Sequence, residues 1–267
     1  MGRIIRIILI IFFSCVLCFS GWKVYTIQSE YTVGENAYSD ISQHVTIPSA
    51  QTGGGLAAST GSHNSPGVSG AADGEEAEPE DDFPWPQVDF EALREINPDI
   101  VGWLYIEGTE INYPVVQSTD NDYYLHHLFN GRLNGAGCLF LDSSNDPSFS
   151  DPHSVIYGHY MQNGSMFAGL GGYKKQEFYD EHKTVLLLTP NKNYHVELFS
   201  AYVASESSDA WQLNFENDEY ADWLAAACES SGIATDVSPT VENRVLTLST
   251  CSYEYSGARL VVLGILK

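Results

Sequence analysis

The sequence predicts a mainly β domain, a barrel or a sandwich, preceded by a membrane segment and a long polar link. Eight short runs rich in β-branched and aromatic residues follow one another over about 180 residues, each bounded by turn residues. One strong helical pattern interrupts them late in the chain. Ahead of them the composition changes twice, from apolar to polar and back.

The first segment, MGRIIRIILIIFFSCVLCFSGWK, runs without a charge from Ile7 to Trp22. With Ile4 and Ile5 it is long enough to cross a bilayer as a helix, which takes roughly 20 residues. Arg3 and Arg6 precede it, so residues 1–24 read as a cytoplasmic tip and single-pass anchor in the cell membrane, with everything after Lys23 outside. No small-residue cleavage site follows the apolar run. From 25 to 86 the chain turns to Gly, Ser, Thr, Ala and carboxylates, with seven carboxylates between Asp73 and Asp82. Such a stretch has too few large apolar groups to offset its ordering entropy, and a disordered acidic tether is expected there. A flexible link of that length spans roughly 45 Å and would let the domain stand off the membrane.

The domain, 87–267, opens with WPQVDFEALREINPD, a short helix that Asp89 caps and Pro98 stops. The strand-like runs are IVGWLYI, INYPVVQ, GCLFLD, SVIYGH, TVLLLT, YHVELFSAYVA, RVLTLSTC and RLVVLGIL. Between the sixth and seventh, NDEYADWLAAACESSG places Tyr220, Trp223, Leu224 and Ala227 on one helical face and closes at Gly232. Cys228 in that helix reads as a half-buried structural thiol.

A formal charge of −23 argues against nucleic acid, whose binding needs Lys and Arg on phosphates, and against contact with anionic lipid surfaces. No Walker loop or G-x-G-x-x-G is present, and no cofactor is expected. Metal is not expected either: His126 and His127 are adjacent, no C-x-x-C exists, and DSSNDPSFSD lacks the Gly and Glu of a calcium loop. Two of the five cysteines lie in the apolar helix, leaving Cys138, Cys228 and Cys251 outside it. Three thiols cannot all pair within one chain, so at least one is free.

Cys251 is the thiol placed for chemistry. The runs RVLTLSTC and RLVVLGIL flank a loop of seven residues, which predicts an antiparallel hairpin with Cys251 and Arg259 at the same end. Alternation puts Val245, Thr247, Ser249 and Cys251 on one face. Attack needs a thiolate, hence a cation or base nearby. His159 ends another apolar strand and opens a polar loop, whereas His153, His182 and His195 read as loop or surface residues.

NPDIVGWLYIEGTEINYPVVQSTDNDYYL, GCLFLDSSN, SVIYGHYMQNGSMFAGL, FYDEH and TLSTCSYEYSGARLVV together resemble a class B sortase, in the same order and over nearly all of 90–267. The resemblance implies an eight-stranded sortase barrel with an N-terminal helix and a helix inserted between late strands. It implies Cys251 as nucleophile, His159 as acid/base and Arg259 as stabiliser of developing charge. Asn121, Tyr124 and Leu125 match an N-x-x-Y-L element that lines the substrate groove, and Ser249 and Thr250 join them from the TLxTC block. The loop after Cys251 is shorter than in some relatives. The activity implied is transpeptidation: cleavage after Thr of a C-terminal sorting signal of the NPxTN or S/NPxTG type, on secreted proteins, through a thioacyl enzyme. The acceptor is an amine of a peptidoglycan precursor or another amine. An L,D-transpeptidase would place Arg almost beside Cys, and a papain-like enzyme would place Cys before His; neither order is found here.

Overall fold

The computed structural model describes residues 2–48 and 83–267. It opens with α1, Gly2–Ser42, a single helix of 41 residues whose first half is long and apolar enough to cross a membrane. Residues 25–42, expected to begin the tether, continue that helix. Gly34, Ala37, Tyr38 and Ile41 are buried, a spacing of three, four and seven that makes one helical face. That face is narrow and starts with two small residues, so it is hard to see among its polar neighbours. Strand β1, Val45–Thr46, then pairs antiparallel with β2, Gln87–Val88, which places Thr46 opposite Gln87. The acidic run Asp73–Asp82 lies outside the described residues.

Helix α2, Phe90–Ile96, starts where expected: the Asp89 carboxylate accepts from the Ala92 N–H at 3.0 Å. All eight strand-like runs form strands: β3 Ile100–Tyr105, β4 Asn112–Val116, β5 Leu139–Leu141, β6 His153–Tyr157, β7 Thr184–Leu188, β8 Asn193–Ser205, β9 Val245–Cys251 and β10 Ala258–Leu266. They close into one barrel in the order β10-β8-β7-β3-β4-β5-β6-β9. Most neighbours are antiparallel, but β4 with β5 and β6 with β9 are parallel. The connections carry α3 (Tyr123–His126), a 3-10 helix (Phe167–Lys174), α4 (Gln176–Glu181), a short 3-10 turn (Asp209–Trp211) and α5 (Glu219–Glu229).

Alternation along β9 and β10 sorts two cores. Leu246, Leu248, Leu260 and Val262 point into the barrel with Leu104 and Val115. Val245, Val261, Leu263 and Ile265 point outward and are roofed by Tyr220, Trp223, Leu224 and Ala227 of α5, the four residues its periodicity singles out. Both faces of this wall are therefore apolar, and the strands read as continuous rather than alternating runs. Two expectations fail here. Cys228 lies on the exposed side of α5. His153 is fully buried against Trp223, not at the surface: Nδ1–H donates to the Gln212 carbonyl at 2.7 Å, and Nε2 lies 2.7 Å from Thr247 Oγ1.

Candidate active site

The β9–β10 hairpin forms in the expected register, with Arg259 directly opposite Cys251. Residues so paired have Cβ atoms about 5 Å apart on the same face, and that face is the outer one. Ser252 to Gly257 turn the chain; Gly257 has φ +76°, and a Cβ there would come within 2.9 Å of the Glu206 carboxyl carbon. The turn is tied down. Lys174 donates to Ser252 Oγ at 2.8 Å and to the Glu254 carboxylate, and the Tyr253 ring meets that of Tyr160 edge-on. The Lys174 hydrogen bond, seconded by Ser252, pulls Glu254 down to about 2.

β6 runs parallel to β9 and delivers His159. Tyr157 pairs with Ser249, and the Gly158 N–H extends the ladder by donating to the Ser249 carbonyl at 3.1 Å. His159 Nε2 lies 2.8 Å from the Leu125 carbonyl oxygen. A carbonyl only accepts, so Nε2 carries the hydrogen and Nδ1 is left to gain and lose a proton. Arg259 is oriented by its own neighbours: Nη1 donates to the Ala258 carbonyl at 3.1 Å and Nη2 to Glu206 Oε2 at 3.2 Å.

A cavity of about 330 Å³ is lined by Cys251, His159, Arg259, Asn121, Leu125, Ser249 and Thr250, together with Phe140, Tyr157 and Gly158. Seven of the eight residues singled out in the sequence thus meet at one place. Tyr124 does not. It is buried on the other side of α3, where its hydroxyl donates to Asp99 Oδ2 at 2.8 Å and accepts from Asn97 Nδ2 at 2.9 Å. Burial, opposed in part by the Asn97 bond, drives its ionisation far above the usual phenol range. Thr250 alternates away from Cys251, and its buried hydroxyl has no partner among the described residues.

Four residues of the site are not singled out in the sequence. Asp142 accepts from Asn121 Nδ2 at 2.9 Å and from the Tyr157 hydroxyl at 3.0 Å, so it holds two walls of the cavity together. Burial, with the Asp142 charge behind it, keeps Tyr157 protonated. The Trp211 indole donates to Ser249 Oγ at 3.0 Å. Trp211 and Glu206 belong to a second cavity, about 510 Å³, that shares Tyr157, Ser249 and Arg259 with the first. The strand endings GCLFLD and SVIYGH mark Asp142 and Tyr157 as strand-end polar groups, which is the only hint available. Among the other thiols, Cys138 is buried and its ionisation is pushed up to about 12 by that burial, which leaves it inert.

The chain is similar to known proteins over most of the barrel. The family described as the sortase domain matches residues 104–267. Sortase B of Listeria monocytogenes is 39% identical over 175 residues, covering 64% of this chain and 71% of the relative. Sortase B of Staphylococcus aureus is 37% identical over 178 residues, 66% of this chain and 73% of the relative. Among solved structures, a Staphylococcus aureus sortase B–substrate complex aligns with a TM-score of 0.64 and 36% identity, covering 67% of this chain and 84% of that one.

Proposed function

Because the chain belongs to the sortase family, in its class B, and is a cysteine transpeptidase, we propose that it cleaves a C-terminal sorting signal after Thr and transfers the new acyl end to an amine. The observation that carries this reading is the single cavity shared by Cys251, His159 and Arg259. The Cys251 sulfur attacks the Thr carbonyl carbon, and the proton of the thiol passes to His159 Nδ1. Arg259, forked and always charged, donates to the carbonyl oxygen as it gains negative charge. The C–N bond then breaks, and His159 returns its proton to the departing amine, leaving a thioester on Cys251. An incoming amine attacks the thioester, gives its proton to the imidazole and releases the thiol.

The groove formed by Asn121, Leu125, Ser249 and Phe140 mixes apolar and hydrogen-bonding groups without a cluster of charge. This suits a short, extended, uncharged peptide. We assign it signals of the NPxTN or S/NPxTG type, carried by secreted proteins, and a cell-wall precursor amine as acceptor. The apolar half of α1 serves as a single-pass anchor that leaves the barrel outside the cell. Mass spectrometry of a panel of Pro-x-Thr peptides, with and without hydroxylamine or a glycine peptide, tests the assignment. Cleavage after Thr, capture of the acyl group by the amine and complete loss in Cys251→Ala are expected. Transfer to water alone makes the protein a protease on this fold. Activity that survives Cys251→Ala removes the nucleophile.

A further inference from the structure

The last turns of α1 lie against both chain segments that flank His159, although no residue of α1 lines the catalytic cavity. On one side, Asn134 Nδ2 donates to the Glu30 carbonyl at 3.0 Å, and the Tyr38 hydroxyl donates to the Gly137 carbonyl at 2.5 Å. Gly137 has φ +61°. A Cβ there would lie 2.5 Å from the Tyr124 carbonyl oxygen, 3.0 Å from that of Leu125 and 3.1 Å from His159 Cδ2. The Tyr38 hydroxyl therefore holds, through one glycine, the backbone that borders both the imidazole and the carbonyl to which the imidazole donates. On the other side, Asn163 Nδ2 donates to Glu35 Oε1 at 2.9 Å. Tyr113, which meets the Tyr38 ring edge-on with centroids 5.2 Å apart, accepts from the Met166 N–H at 3.1 Å. The next residue, Phe167, donates its N–H to the His159 carbonyl at 2.9 Å.

We propose that Tyr38 is a positioning residue for the transfer reaction, acting through Gly137 on the His159 imidazole, so that the outer half of α1 is a working part of the enzyme. The proposal rests on the assignment of His159 as acid/base. Burial, with Cys138 beside it, drives the ionisation of Tyr38 far above the usual phenol range, so its O–H donates throughout the working range. Loss of that donor loosens the turn at Gly137 and with it the Nε2–H···O=C bond of His159. That bond fixes the imidazole ring, so its weakening misaligns the atom that takes and returns the proton without touching the peptide groove.

The test uses the full-length chain in detergent micelles. Tyr38→Phe keeps the ring against Tyr113 and removes only the donor. Its kcat is expected to fall about tenfold, a fraction of what general acid–base catalysis supplies, with KM within twofold. Its pH–rate profile is expected to shift from that of wild type. Gly34→Leu, which pushes α1 off Ala136, is expected to shift the same profile by a different route, while Gln28→Ala on the exposed side leaves rate and profile unchanged. Wild-type kcat and an unmoved profile in Tyr38→Phe overturn the proposal. So does a rate loss that only tracks the fraction unfolded. An inactive wild type sinks the transpeptidase reading instead, and the proposal with it.

Discussion

Across one rung of the β9–β10 ladder a thiol and a guanidinium stand side by side, and backbone pairing holds them there. The Glu206 carboxylate that holds Arg259 is itself largely exposed, so the ion pair contributes at most about 1 kcal/mol to stability and acts chiefly on orientation. Orientation is what the oxyanion role proposed for Arg259 needs. Arg259→Lys retains the charge but loses the fork, and kcat is expected to fall by on the order of 10² with an unchanged melting temperature. Steady-state kinetics on the best peptide decide it: a lysine variant with near-normal turnover shows that charge alone suffices. At this scale the sequence is informative where spacing becomes adjacency. Seven residues lie between Cys251 and Arg259, and a short loop between strands turns that into a cross-strand pair. Tyr124 shows the opposite case. Neighbours on a helical turn point about 100° apart, so Leu125 meets the cavity while Tyr124 turns to Asp99. Glu206, Asp142 and Trp211 arrive from distant strands and loops, and no local pattern names them.

Among the elements, β6 is the least legible and the most consequential. Its existence follows from composition, but its parallel pairing joins 153–157 to 245–249 across a long stretch of chain, and nothing local encodes such a partner. The same pairing buries His153, whose sequence surroundings resemble those of a surface histidine. Burial lowers its ionisation from 6.5 to about 4, so the fold holds it neutral. The folded state then binds fewer protons than the unfolded chain, and stability falls as pH drops through the window from 6.5 towards 4. His153 alone takes away up to about 3 kcal/mol across that window. Urea denaturation at pH 7 and pH 4.5 checks this: His153→Gln is expected to be less stable than wild type at pH 7, with a distinctly flatter acid dependence. Equal slopes for the two proteins would falsify the burial argument.

For the whole molecule, the barrel is the legible part and the segment ahead of it is not. Short β-branched and aromatic runs bounded by turn residues mark the eight strands, and periodicity of 3.6 marks α5, because each buries large apolar groups. The outer half of α1 buries Gly34 and Ala37 alongside Tyr38 and Ile41, and small residues leave a faint trace. Moreover, β1 and β2 bring Thr46 beside Gln87, so the described residues on the two sides of 49–82 meet. Replacing residues 49–82 by a short Gly/Ser loop is therefore expected to leave turnover and melting temperature unchanged. Deleting residues 1–82 uncovers the seat of Tyr38 and Ile41, each worth about 2 kcal/mol of burial. A fall in melting temperature of roughly 10 °C follows. Calorimetry on both variants decides between them; a normal melting temperature after the larger deletion means that α1 only rests on the barrel.

The strand that closes the barrel bears on when the enzyme becomes chemically competent. β10 pairs with β8 on one side and β9 on the other, and it brings Arg259 to Cys251. Both strands of this hairpin come after every other barrel strand in chain order. A chain emerging N-terminus first therefore has Arg259 beside Cys251 only once this last strand has paired. On the roles proposed above, a half-made chain in transit lacks the guanidinium that would face the acyl carbonyl, and acyl transfer waits for the C-terminal strand.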